Sequence, residues 1–227
     1  MRERLLHTGF ADLDEALGGG YMQGRVVELA ARLELSHILS ALAFGAVRAA
    51  HQRGERATYV VDTAGRLTPE TLRSQRIDPA NLSITQPEGP LSETLRNLAK
   101  IIDTGALDLV IVAATMPGRV DDAESKRTIH ALRPLTAAAY RGRTTVLVLH
   151  AFEANGVGCY LRSGLSETAL RYYATQRVHV TRGVPESATL RVTKNRNPEV
   201  AGSPFRTVEV PFTLPVLPHL EVSDAHA

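Results

Sequence analysis

The 227-residue chain holds one cysteine, Cys159, which rules out an internal disulfide framework and any Cys-based zinc cluster. Its formal net charge is only +2, and so balanced a composition predicts no affinity for nucleic acid unless the basic residues gather on one surface. The N-terminus "MRERLLHTGF" has no apolar signal-peptide core, and no uninterrupted apolar run reaches the roughly 18 residues that span a bilayer. A cytoplasmic protein with no membrane role is the expectation. None of the eight histidines stands four residues from another, so no helical metal site is expected. One further absence is local. In "GRVVELAARLELSHILSAL" (24–42) an apolar strand turns into an apolar-striped helix, yet the turn contains neither glycine nor lysine.

What is present is enough apolar residue, 44%, for one sizeable core. Apolar runs alternate with helical stretches. Strands are predicted at 25–31, 57–62, 81–85, 107–115 and 144–150, with helices at 37–54, 68–76, 91–105 and about 122–141. Thr68 is placed as an N-cap, with Pro69 in the first turn. "LDLVIVAAT" is apolar almost throughout, the pattern of a central parallel strand covered on both faces. Such βαβ repetition argues for an α/β fold, a doubly wound and mostly parallel sheet. After a short helix at 166–174, three alternating segments, "QRVHVTRG", "ATLRVTKN" and "FRTVEVPF", read as an antiparallel C-terminal extension of the sheet. A single core domain over 1–210 is expected, followed by an extended or mobile tail over 211–227.

The order of segments resembles the core of the RecA/Rad51 recombinase superfamily. "TGFADLDEALGGGYMQGRVVEL" is similar to the family's entry, "VVDTAGRLTPETL" to its second strand and loop, "SETALRYYATQRVHVTR" to its Ala-Leu-Lys-Phe-Tyr-Ala-Ser-Val-Arg segment, and "LRVTKNRNPEVAGSPFRTVEV" to its closing hairpin. The resemblance runs from about residue 8 to 210. Only seven residues precede "TGF", so the family's N-terminal polymerisation arm is expected to be missing.

The resemblance also says what has been lost. A phosphate loop works because glycines let successive N–H groups face one anion, while a lysine and a hydroxyl serve the phosphates and Mg²⁺. Here Ala31 stands at the first glycine, Ser36 at the last, His37 at the lysine and Ile38 at the hydroxyl residue. Glu34 would repel phosphate. The resemblance further implies that Ala64 replaces the water-orienting glutamate and Ala113 the Mg²⁺-holding aspartate, while His150 and Ala151 stand near the polar sensor. Without these parts phosphoryl transfer has no machinery. No catalytic residue, nucleotide, metal or other cofactor is expected, and Leu33, Leu35 and Ile38 are expected to pack where glycines would have left room.

In bacterial recombinases two basic residues of the closing hairpin look into a neighbour's ATP, and Lys194 and Arg196 match them. They are therefore candidate partner-facing residues, with a solvated-hairpin role as the plainer reading. The family's DNA loops would lie at 117–127, with Arg119, Lys126 and Arg127, and at 152–166, with Tyr160 and Arg162. So few cations, diluted by Asp121, Asp122 and Glu124, predict weak DNA binding at most. The "DDAE" run at 121–124 is read as negative charge at a helix N-terminus, in preference to paired catalytic carboxylates. A basic face would need Arg171, Arg177, Arg182, Arg191 and Arg206 to cluster. The chain is most similar in character to the ImuA group of mutasome accessory proteins, RecA-like but without a P-loop. That likeness implies a RecA-type recombinase and an error-prone polymerase or polymerase-like mutasome subunit as partners, a role in SOS damage tolerance, and nucleoid association when bound to them. Two other readings stand beside it: a recombination mediator binding single-stranded DNA, and an atypical ATPase using Arg32 or His37.

Overall fold

The computed structural model describes residues 5–54, 58–63, 67–113, 122–152, 167–184, 187–197, 200 and 206–211. The elements are β1 (Leu5–Leu6), α1 (Ala11–Leu17), β2 (Tyr21–Met22), β3 (Val26–Arg32), α2 (Ser36–Gln52), β4 (Thr58–Asp62), α3 (Pro69–Ser74) and β5 (Leu82–Thr85). The chain continues through α4 (Leu91–Ile102), β6 (Leu109–Ala113), α5 (Asp122–Gly142), β7 (Thr145–Phe152), α6 (Glu167–Tyr173), β8 (Gln176–Val184), β9 (Ser187–Asn195) and β10 (Arg206–Pro211). A two-stranded ribbon pairs β1 with β2, and the main sheet has the order β10-β9-β8-β3-β7-β6-β4-β5.

The parallel core reaches further than the sequence pattern suggests. Strand β8 runs parallel to β3, with Leu29 opposite Val178, so only β9 and β10 form the antiparallel extension. Alternation in a strand points to a covered half-buried face, but it does not reveal the direction of the neighbour.

Alternation along β3 divides the core in two. Val27, Leu29 and Ala31 pack with Ile38, Leu39, Leu42 and Val47 of α2, while Val26 joins Val146, Val148, Leu135 and Leu170 beneath α4, α5 and α6. Sheet faces covered on both sides need helices apolar enough to be buried. The 20 residues Leu33–Gln52 are long and apolar enough to cross a bilayer by length and composition, contrary to the expectation from uninterrupted runs, and half of that window is buried in the protein. That burial accounts for the composition as a core helix.

The entry segment is seated by glycines. Gly9 takes φ +86°, and a Cβ there would lie 2.6 Å from the Gly45 carbonyl oxygen. A Cβ on Gly45 would in turn meet the Thr8 carbonyl oxygen at 2.7 Å. The Thr8-Gly9-Phe10 turn thus lies directly on the backbone of α2. Thr68 caps α3 as expected, its hydroxyl accepting from the Thr71 N–H at 3.1 Å.

Candidate functional site

At the end of β3 the chain makes one 3-10 turn, Leu33–Leu35, and enters α2 at Ser36. The Ser36 N–H donates to the Leu33 carbonyl, so it is spent on the turn. Ala31 and Ile38 are buried, and Leu35 packs partly buried against the same cluster. Gly183 of β8 lies beneath them: a Cβ there would overlap Ile38 Cδ1 and sit 3.1 Å from Leu35 Cδ2. Side chains therefore rest on the backbone of β8. Leu33 departs from the expectation. It is 37% exposed, because the 3-10 turn rotates it away from the sheet. His37 is exposed, Ser36 half-buried, and Arg32 lies 3.9 Å from Glu34 in a solvent-exposed pair.

The neighbouring strand ends hold short polar contacts of their own. Ala113 closes β6, and its carbonyl accepts the Thr63 hydroxyl at 2.6 Å. Buried Asp62 accepts the Leu67 N–H at 2.8 Å, just before α3. Ala64 lies outside the described residues. Among the described residues no three His, Cys, Asp or Glu side chains converge to hold a metal ion.

The opposite face of β3 carries charge. Glu28, fully buried, accepts from His150 Nδ1 of β7 at 2.9 Å and from Arg177 Nε of β8. Burial pushes the Glu28 carboxyl up, but the hydrogen bonds and charges of His150 and Arg177 outweigh it and hold the group below its ordinary value. Arg177 is 4% exposed, so it does not join a basic face with the exposed Arg171, Arg182, Arg191 and Arg206. Sequence reasoning missed this cluster. Its signal was a glutamate inside "RVVEL" and an arginine inside "QRVHV", since a charge within a buried strand must be paired.

The "VTKNRNP" stretch divides its labour. Asn195 Nδ2 donates to the Leu17 carbonyl at 3.3 Å, and Asn197 Nδ2 donates to Leu17 at 3.0 Å and to Gly18 at 3.3 Å. These amides satisfy the last carbonyls of α1, so they are structural fasteners. Arg196 between them is exposed. Lys194 is not a solvated hairpin charge. It is half-buried opposite Arg177, and its Nζ donates to the Arg171 carbonyl in the last turn of α6 at 2.7 Å. Burial, then Arg196 and Arg177, lower its pKa to about 8, with Glu28 opposing.

The residues proposed for DNA are scattered in role. Arg119, Tyr160 and Arg162 lie outside the described residues. Lys126 and Arg127 stand in the first turns of α5 instead of a loop, and Arg127 Nε donates to Glu124 at 2.8 Å. Glu124 stands in the first turn of α5, as expected, and its carboxylate also reaches a second helix, accepting the Ser92 N–H at 2.9 Å at the start of α4. Between α4 and the strands β4 and β5, a groove of about 360 Å³ is floored by Tyr59, Val61, Leu98 and Ile101 and rimmed by Glu88 and Glu93.

Comparison with known proteins agrees with this architecture. The RecA N-terminal domain family matches residues 3–212. The chain is similar to Protein RecA of Acidothermus cellulolyticus, 30% identical over 230 residues that cover 90% of this chain and 64% of that one. Protein RecA of Synechococcus sp. is 30% identical over 234 residues, covering 92% of this chain and 60% of that protein. The chain therefore spans less than two thirds of the length of these curated relatives.

Proposed function

This chain belongs to the RecA N-terminal domain family, and from that premise we propose that it is a non-catalytic accessory member, working through protein contacts. The observation that carries the reading is the packed turn at Ala31–Ile38. Leu35 and Ile38 rest on the β8 backbone at Gly183, the Ser36 N–H is spent within the turn, and no lysine stands at its end. A phosphate would find side chains where the anion must sit, and the exposed Glu34 beside it. Ala113 at the end of β6 offers a carbonyl already bound to Thr63, and no carboxylate.

The partners we propose are a RecA-type recombinase and an error-prone polymerase or polymerase-like mutasome subunit, in SOS damage tolerance and translesion mutagenesis. The proposed location is the cytoplasm, with nucleoid association through those partners. Two surfaces are offered for docking of protein: the acid-rimmed groove between α4 and the strands β4 and β5, and exposed Arg196 beside Lys194. The single-stranded DNA reading gains nothing from Arg127, whose guanidinium is held by Glu124.

Titration calorimetry with ATP and Mg²⁺ tests the first half: no heat is expected at millimolar nucleotide. Binding that His37→Ala abolishes would restore the atypical ATPase. Capture of an active RecA on immobilised protein tests the second half. Capture and an effect on RecA ATP turnover are expected to be lost in Lys194→Ala/Arg196→Ala, and an undiminished double variant would sink the trans-contact role.

A further inference from the structure

Lysine is scarce in this chain, with three residues, Lys100, Lys126 and Lys194, against 23 arginines. Lys100 of α4 and Lys126 of α5 are exposed. Lys194 differs from both in its setting. It is half-buried on β9 opposite Arg177, while the bond from its Nζ to the Arg171 carbonyl lies at the surface.

That acceptor is neutral, and among the described residues no carboxylate is bonded to the nitrogen. A carboxylate partner would hold it as an ammonium, whereas a carbonyl accepts an N–H from an ammonium or from a neutral amine. In the neutral form the nitrogen can donate to Arg171 and still carry its lone pair. Burial, then Arg196 and Arg177, disfavour the charged form, and the Glu28 carboxylate that opposes them is itself bonded to His150 and Arg177. With the pKa at about 8, about one Lys194 amine in five is neutral at pH 7.4, against roughly one in a thousand at the reference lysine value of about 10.4. Desolvation and an adjacent cation are the two devices that make a lysine nucleophilic near neutral pH.

We propose that Lys194 is a site of covalent acylation, its Nζ taking the acyl group of a thioester. The nitrogen lone pair attacks the thioester carbonyl carbon, the N–C bond forms and the C–S bond breaks. Sulfur leaves with the electron pair, and the proton lost by nitrogen passes through solvent to the thiolate. The product is an amide whose remaining N–H can keep the Arg171 carbonyl, so the fold accepts the change. What disappears is the positive charge beside Arg196. The functional consequence rests on the partner-facing reading of Lys194 and Arg196: acylation switches that pair off as a docking surface.

Peptide mass spectrometry of the full chain tests the site, with the uncharged acetyl thioester of N-acetylcysteamine as the probe at pH 7.4. Lys194 is expected to acetylate about 10-fold faster than Lys100 or Lys126. The gain in neutral amine outweighs the loss of intrinsic nucleophilicity that accompanies a lower pKa, as it does for thiols. Its rate is expected to rise through about pH 8 and then level off. Arg196→Gln is expected to slow it about 2- to 5-fold at pH 7.4, by removing one of the cations that disfavour the ammonium. Arg73→Gln, a change on distant α3, is expected to leave it unchanged. Labelling of Lys194 no faster than that of Lys100 and Lys126 overturns the site, and a rate indifferent to Arg196→Gln overturns its activation by the neighbouring cation. RecA capture by the acetylated chain separates the two readings: selective labelling with undiminished capture leaves the acylation site standing and removes the partner role.

Discussion

The two faces of strand β3 solve opposite problems with residues one step apart. On the α2 side Ala31, Leu35 and Ile38 close the strand end with apolar packing on Gly183. On the α6 side Glu28 anchors His150 and Arg177 across three adjacent strands. The apolar face depends on volume and tolerates changes of similar size. The charged face depends on completeness, since removing one member strands another away from water. On the proposed reading, phosphate chemistry on the first face would ask for an open, glycine-lined anion site, and the packed turn puts side chains there. The second face keeps a set of fixed charges leading through Lys194 to the surface.

The largest effect should come from the charged face. Glu28→Gln leaves Arg177 buried without its carboxylate, and breaking such a pair costs about 3–5 kcal/mol, measured by urea unfolding. Replacing both residues together, Glu28→Leu with Arg177→Met, is expected to recover most of that loss, because the cost lies in the orphaned charge. The pH dependence has a definite sign. The folded carboxyl sits below its ordinary value of 4.5, so its contribution is complete above that pH and falls away as pH drops through the folded pKa. Unfolding midpoints that do not fall on acidification below about 4.5, by more than in the double variant, would remove Glu28 as their cause.

The apolar face should respond less. Ile38→Ala empties space above Gly183 and is expected to cost roughly 2–4 kcal/mol, with the spread set by how far Leu35 collapses into the gap. Ile38→Val, a smaller change in volume, is expected to cost about 0.5–1.5 kcal/mol. The comparison sharpens if neither variant gains heat with ATP in calorimetry, because emptying one side chain restores no lysine and frees no N–H. ATP binding by Ile38→Ala would mean that packing alone had closed the site.

Much of the parallel core was legible because its signals are local: apolar runs, the Thr68-Pro69 cap and the glycine-ended helices. The direction of β8 was not, since its alternation is equally good for either neighbour and β3 lies nearly 150 residues away. The packed turn could be anticipated from missing glycines, but the exposure of Leu33 depends on a 3-10 twist that the sequence leaves open. Charged residues were hardest. Sequence alone offered Lys194 as a partner-facing or solvated hairpin charge, Arg127 as a DNA-loop residue and Glu124 as charge at a helix N-terminus. The contacts that place them are the Arg171 carbonyl accepting from Lys194, Glu124 accepting from Arg127 one turn away, and Glu124 accepting the Ser92 N–H of α4.

The smallest expected effect belongs to Arg127, and it carries information for that reason. Its guanidinium bonds to Glu124 three residues earlier on α5, and the arginine is half-exposed while Glu124 is largely covered. Exposed pairs of this kind contribute about 0–1 kcal/mol. Glu124 is expected to keep its bonds to Ser92 when Arg127 is removed, since the N–H of α4 does not depend on the arginine. Arg127→Ala should therefore shift the urea midpoint little, whereas Glu124→Ala uncaps α4 and costs more, about 1–2 kcal/mol. The same pair of variants separates structure from DNA contact. If Arg127 were neutralising a phosphate, its removal would reduce the salt dependence of single-stranded DNA binding by about one ion in the slope. An unchanged slope, with Glu124→Ala as the more damaging variant, places Arg127 with the helix pair and away from nucleic acid.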